Sequence, residues 1–172
     1  AAQARCWLNT GEGGLAPYHL EGDCDVIMQI GTAKYGIRDE QGNFSPQRAK
    51  ELGKIVKAFE IKLSQGAKPG KGGLLPGGKV GPEIAAIRGI PVHMDSISPN
   101  RHKDINNIDE LLDKIHTLRE LTGRPVGIKT AIGGWNFINE LCDSINRRGL
   151  DYAPDFLTID GGEGGSGAAP QT

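Results

Sequence analysis

Apolar positions along this chain fall into short runs of strand character, separated by stretches with helical spacing. Arg5–Asn9, Asp25–Ile30, Phe59–Leu63, Val92–Ile97, Val126–Thr130 and Phe156–Asp160 read as strands. Most run into Gly, Pro, Asn or Ser, as strands entering loops do. Between them lie amphipathic stretches. Pro46–Val56 opens after Ser45, a natural N-cap, and Gly81–Arg88 carries Pro82 in its first turn. Residues 108, 111, 112, 115, 118 and 121 form an i, i+3, i+4 stripe over Ile108–Leu121, which ends before Gly123. Trp135–Arg147 repeats the pattern with Phe137, Ile138, Leu141 and Ile145, and Gly149 closes it. Strands alternating with helices predict a parallel sheet covered by helices. Two architectures fit, a doubly wound sheet and a (β/α)8 barrel. A barrel usually takes about 250 residues, so a barrel built from this chain would be a partial one. In both, ligands bind at the carboxyl ends of the strands. The polar loops fall there: NTGEGG, SQGAKPGKGG, SPNRHKD, Lys129 and DGGEGGSG.

Composition narrows the classes. The chain has 172 residues, 37% hydrophobic and 24% charged, with a formal net charge of −1. One domain over 1–172 is expected. The balanced charge and the lack of a basic block argue against a nucleic-acid partner. No apolar run is long enough to span a bilayer, and no signal peptide is visible. Cys6, Cys24 and Cys142 show no CxxC or Cys/His zinc spacing, so no metal site is expected. Three widely spaced cysteines suggest reduced thiols and a cytoplasmic location. The start, AAQARCWLNTGEGG, and the finish, GGEGGSGAAPQT, both read as interior sequence, so a piece truncated at both ends is expected.

Candidate chemistry concentrates in residues 59–90. Lys62, Lys68, Lys79 and Arg88 stand among closely spaced glycines. Backbone N–H groups and fixed cations gathered this way suit an anionic ligand, and solvated lysines on a loop are the plain alternative. Gly66–Gly72 is not a P-loop: the spacing to Lys71 is one residue short, and Gly72 stands where Ser or Thr should bind magnesium. Gly162-x-Gly164-x-x-Gly167 fits a dinucleotide fingerprint, but no ribose-binding acid follows it. Gly11-x-Gly13-x-x-Ala16 is followed by Pro17, which breaks the helix such a motif needs. His102 and His116 are expected to face solvent. Glu12, a carboxylate within a glycine turn at a strand end, reads either as a proton handler or as a plain turn residue.

The segments NTGEGG (9–14), QIGTAKYG (29–36), EIKLSQGAKPGKGGLLPGGKVGPEIAAIR (60–88), SISPNRHKDI (96–105), VGIKTA (126–131) and TIDGGEGGSGAAP (158–170) occur in order across the chain. With them the chain resembles the FMN-binding domain of the glutamate synthase family, and its stand-alone members in particular. The resemblance implies a partial, FMN-binding (β/α)8 TIM barrel in which FMN sits at the carboxyl face. It implies an oxidoreductase that forms L-glutamate by reducing 2-iminoglutarate, made from 2-oxoglutarate and ammonia or glutamine-derived ammonia. By motif position, Glu12, Lys62 and Lys68 would be catalytic, and Lys62, Gln65, Lys68 and Arg88 would bind the substrate carboxylates. Asn9, Thr10, Gly11, Gln29, Lys129, Asp160, Gly161, Gly162, Gly164 and Gly165 would bind the cofactor. A dicarboxylate does need several cations, and Arg offers a bidentate fork. A cation at Lys129 would steady charge on a reduced flavin.

The pattern also departs from the family. Leu74 stands where the family has a substrate-binding glutamine, and SPNRHKDI replaces a proline- and histidine-rich loop. The three cysteines do not match the family's cluster ligands, so no iron–sulfur cluster is expected within this segment. Leu74 keeps open a related FMN enzyme that passes an amino group to another amine such as methylamine. A non-catalytic FMN-binding electron-transfer module is the third reading. The electron donor, the ammonia source and assembly into an oligomer stay open.

Overall fold

The computed structural model describes residues 1–68 and 70–161. Its elements run β1 Leu8–Asn9, β2 Val26–Ile30, α1 Pro46–Gly53, β3 Ala58–Lys62, β4 Gly73–Leu75, α2 Pro82–Arg88, β5 Ser96–Ser98, α3 Ile108–Thr122, β6 Val126–Thr130, α4 Trp135–Arg148 and β7 Leu157–Ile159. Local signals place the helix ends. Ser45 caps α1 by accepting from the Arg48 amide. Asn107 caps α3 by accepting from the Glu110 amide at 2.9 Å. Gly123, at φ 63°, closes α3 in the left-handed conformation that glycine tolerates best.

Five strands form one parallel sheet in the order β1-β2-β3-β6-β7, which follows the chain once the β4–β5 pair is set aside. The register pairs Leu8 with Val26, Ile27 with Ala58, Phe59 with Val126 and Ile128 with Leu157. Strand alternation then sorts the faces. Val26, Met28, Ile30, Phe59, Ile61, Val126 and Ile128 join Leu52, Leu111, Leu112, Ile115, Leu118 and Leu141 from α1, α3 and α4 in one core. The opposite face carries Asn9, Ile27, Gln29, Ala58, Glu60, Lys129 and Thr158 around an open cavity of about 820 Å³. A doubly wound sheet reverses its strand order and is covered on both faces. Here the order does not reverse among the described strands, and this second face is open, with polar groups set among apolar ones. The fold is α/β with a curled, half-barrel parallel sheet.

Two expectations change. The strand expected over Val92–Ile97 is instead Ser96–Ser98, and it lies outside the main sheet. It pairs antiparallel with β4, a strand not expected at all, through Gly73–Ser98, Leu74–Ile97 and Leu75–Ser96. Gly72 and Gly73 allow that pairing: a Cβ on Gly72 would come within 2.0 Å of the Ser98 carbonyl oxygen. Glycine spacing hid the strand, because β-propensity is low there. The three cysteines form no disulfide. No described helix is long and apolar enough to cross a membrane.

Candidate active site

The NTGEGG turn leaves β1 with its shape set by two side chains. The Asn9 carbonyl oxygen Oδ1 accepts from the Gly11 amide at 2.9 Å. The Thr10 hydroxyl accepts from the Gln29 amide at 3.1 Å and donates to the Gly11 carbonyl at 2.8 Å. Gly11 takes φ 67°, a conformation that favours glycine. The turn thereby lays Glu12 across the end of β2, over Gly31. A Cβ on Gly31 would sit 2.8 Å from both Cβ and Oε2 of Glu12, so the close approach requires glycine.

Lys62, the last residue of β3, meets Glu12 there. Its ammonium lies 3.0 Å from Glu12 Oε2 and donates to Gln65 Oε1 at 2.5 Å. Lys62 is largely buried, with 12% of its side chain exposed. These three residues open onto a groove of about 40 Å³, also bordered by Thr32, Lys68, Lys71, Ser98 and Asn100. That is room for a few waters or the carboxylate end of a small acid. Lys68 borders the groove and makes no ion pair among the described residues. Three cations border the groove, Lys62, Lys68 and Lys71, and with only Lys62 paired to a carboxylate among the described residues the rim can take an anion.

Ser98, Pro99 and Asn100 line the groove, and the 98–104 segment that carries this wall is stapled down at several points. Thr32 donates its hydroxyl proton to the Pro99 carbonyl at 2.6 Å. His102 is buried, against the expectation that it faces solvent, and its Nε2 lies 2.8 Å from the Lys62 carbonyl. Burial lowers the imidazole's proton affinity, and because a carbonyl oxygen only accepts, Nε2–H donates to it. The loop folds back because Asp104 lies 2.8 Å from both Lys34 and Lys114. Partial burial alone would raise the Asp104 carboxyl, but the ammonium groups of Lys114 and Lys34 outweigh it and hold it well below the usual carboxylate range. His116, also expected in solvent, is half-buried and stacks on Tyr152 with ring centroids 4.5 Å apart.

The other expected residues are dispersed. Arg88, at the end of α2, does not border the groove. It donates to the Ser96 hydroxyl at 2.7 Å and lies 4.8 Å from the Tyr35 ring centroid, on the Gly13 side of the NTGEGG turn. Lys79 is exposed in a short turn, and Leu74 is exposed on the β4–β5 pair, neither bordering the groove. Asn9, Gly11, Gln29 and Lys129 face the open side of the sheet. Lys129 lies 3.0 Å from Asp160. Gly161 is described; Gly162, Gly164 and Gly165 lie outside the described residues.

Sequence reasoning missed Glu60. It is 2% exposed and gathers donors from three other strands of the sheet. Asn9 Nδ2 and Gln29 Nε2 reach its Oε1 at 2.8 and 2.7 Å, and the Thr158 hydroxyl reaches its Oε2 at 2.6 Å. A charged residue between Phe59 and Ile61 in a strand was the available signal: it marks a face that is not oil-filled.

Fold and site together define an α/β protein whose strand ends carry a cationic groove beside a carboxylate, next to a larger cavity of mixed apolar and polar lining on the sheet's open face. Comparison with known proteins agrees. The family model for the conserved region in glutamate synthase matches residues 1–172, and the chain belongs to that family. It is 46% identical over 165 residues to the glutamate synthase large subunit-like protein YerD of Bacillus subtilis (strain 168), covering 95% of this chain and 31% of the relative. It is 39% identical to an archaeal-type glutamate synthase (NADPH) of Dehalococcoides mccartyi, over 95% of this chain and 30% of that protein. It is 32% identical to the glutamate synthase (NADPH) large chain of Bacillus subtilis, over 95% of this chain and 10% of that protein. The chain thus spans less than a third of the curated relatives it matches.

Proposed function

We propose that the protein carrying this chain is an FMN-dependent, glutamate synthase-like oxidoreductase that makes L-glutamate from 2-oxoglutarate by way of 2-iminoglutarate. The observation that carries the proposal is the meeting of Glu12, Lys62, Gln65 and Lys68 at one groove, at the carboxyl ends of parallel strands. In this reading the curled sheet is one arc of a (β/α)8 barrel, which places that groove on the face where such barrels bind ligands.

The open face of the sheet fits a flavin in its donor chemistry. Asn9, Gln29, Thr158 and Lys129 offer amides, a hydroxyl and a cation around a cavity with an apolar floor of Ile27, Ala58 and Phe156. A flat heteroaromatic ring with a polar edge calls for that mixture. Asn9, Thr10, Gly11, Gln29, Lys129, Asp160, Gly161, Gly162, Gly164 and Gly165 would hold it. When bound, FMN supplies the hydride that reduces the imine carbon.

The protein's own residues do the rest. Lys62 and Lys68 neutralise one substrate carboxylate while Gln65 orients it. Glu12, held by Lys62, faces the nitrogen that becomes the amine, and accepts or returns a proton there. The 98–104 wall limits water at the groove. The relatives' names favour this reading over amino transfer to another amine or an electron-transfer module, and some of those names specify NADPH, which we carry over as the source of electrons.

Lys68→Ala in the full-length protein tests the proposal. Flavin content should stay at the wild-type level while KM for 2-oxoglutarate rises about 10- to 100-fold, the loss expected for one charge-assisted contact. Retained flavin with unchanged 2-oxoglutarate kinetics would refute the clamp.

A further inference from the structure

We infer that Glu60 is a positioning residue: it fixes the NTGEGG turn, and through it the placement of Glu12. Glu60 Oε1 accepts from the side-chain amides of both Asn9 and Gln29. Both amides that reach Glu60 Oε1 must therefore present their NH₂ groups to it. For Asn9 this leaves Oδ1 facing the turn, where it accepts from the Gly11 amide at 2.9 Å. A flipped Asn9 amide would set NH₂ against N–H at that point and open the turn. For Gln29 the same constraint leaves Oε1 turned away from Glu60, with Nε2 at 2.7 Å from it.

The relay is closed at both ends. It runs from Glu60 through Asn9 to Gly11, then along the chain to Glu12, whose Oε2 lies 3.0 Å from Lys62 Nζ. Lys62 is two residues from Glu60 on the same strand and the same face. One rigid strand thus holds both the start of the relay and the cation that Glu12 must meet. Thr158 fills the remaining oxygen from β7 at 2.6 Å, so the carboxylate cannot swing toward another donor. Burial makes this arrangement expensive to leave incomplete, which gives it the stiffness a positioning device needs.

The link from the shape of the turn to turnover rests on the function proposed above; the link from Glu60 to the turn does not. The experiment separates them. Hydrogen exchange of the full-length protein reads the Gly11 amide directly. In Glu60→Leu, whose side chain has no oxygen, Asn9 loses its orienting acceptor, and exchange across residues 10–14 should quicken about tenfold, the worth of one lost hydrogen bond. Protection in β2, β3 and β6 should stay as in wild type. Asn9→Ala, which cuts the same relay one link later, should give the same local signature. Unchanged exchange at 10–14 in Glu60→Leu, or a uniform loss of protection through the sheet in both relay variants, would overturn the inference. With 2-oxoglutarate, Glu60→Leu should lower kcat more than it raises KM. A wild-type protein that shows no such turnover but keeps the exchange pattern would sink the proposed reaction and leave the positioning role standing.

Discussion

Asp104→Asn should destabilise the protein at neutral pH by an amount that shrinks on acidification. Asp104 bridges Lys34 and Lys114 at 2.8 Å each, and Lys34 is nearly enclosed, with 7% of its side chain exposed. Removing one partner of a fully buried ion pair costs about 3–5 kcal/mol, and a surface pair is worth about 0–1 kcal/mol. Asp104 keeps 37% of its side chain in water, so screening brings the expected loss to about 2 kcal/mol. In a chain of this size that corresponds to a Tm lower by roughly 4–8 °C. The sign of the pH dependence follows from the direction of the shift. The folded carboxyl is held below its ordinary value, so its contribution is complete above the unfolded value and fades as pH falls toward the folded one. With an unfolded carboxyl near ~3.9, the gap between wild type and variant should be constant from about pH 5 to 8 and smaller by about 1 kcal/mol at pH 3. Urea titrations at pH 7, 5, 4 and 3 measure it. A gap of the same size at pH 3 and pH 7, or no gap at pH 7, would show that the Lys34–Asp104–Lys114 bridge does not hold the 98–104 wall.

Two glycine substitutions extend the test to the site and the sheet. Gly31→Ala puts a methyl carbon 2.8 Å from Glu12 Cβ and Oε2, and the turn must move. We expect a loss of about 1–3 kcal/mol in thermal stability, as for other overpacked sites, and a fall in glutamate formation larger than in flavin content. Wild-type turnover in this variant would mean that Glu12 has no fixed post. Gly127→Ala drives a methyl carbon within 2.3 Å of the Phe156 ring on the sheet's open face. Calorimetry should register a Tm lower by several degrees, on the order of 1–3 kcal/mol, and an unchanged Tm would contradict the packing described.

Much of the fold was legible in the order of residues. Ile108–Thr122 and Val126–Thr130 matched their expected spans to within a residue, because an unbroken apolar period and flanking Gly or Pro leave few alternatives. The polar loops at strand ends located the site, and Glu12, Lys62, Gln65 and Lys68 do converge. Arg88 was grouped with them by motif, yet it turns to Ser96 and Tyr35, partners that no spacing along the chain could reveal. The β4–β5 pair escaped because its strands are short and glycine-bearing, and register between distant segments is set by contact. His102 escaped for a related reason: its burial depends on a loop drawn inward by Asp104 and two lysines from separate elements.

The chain by itself determined which segments become strands and helices, and which polar residues stand at the strand ends, because those follow from local period, capping and turn chemistry. Tertiary structure alone decided which of these residues meet. Ion pairs, amide orientations and close approaches over glycine depend on atoms brought together from far apart in the chain. Glu60 shows it most plainly: it is one carboxylate in an apolar strand until β1, β2 and β7 bring Asn9, Gln29 and Thr158 to its two oxygens.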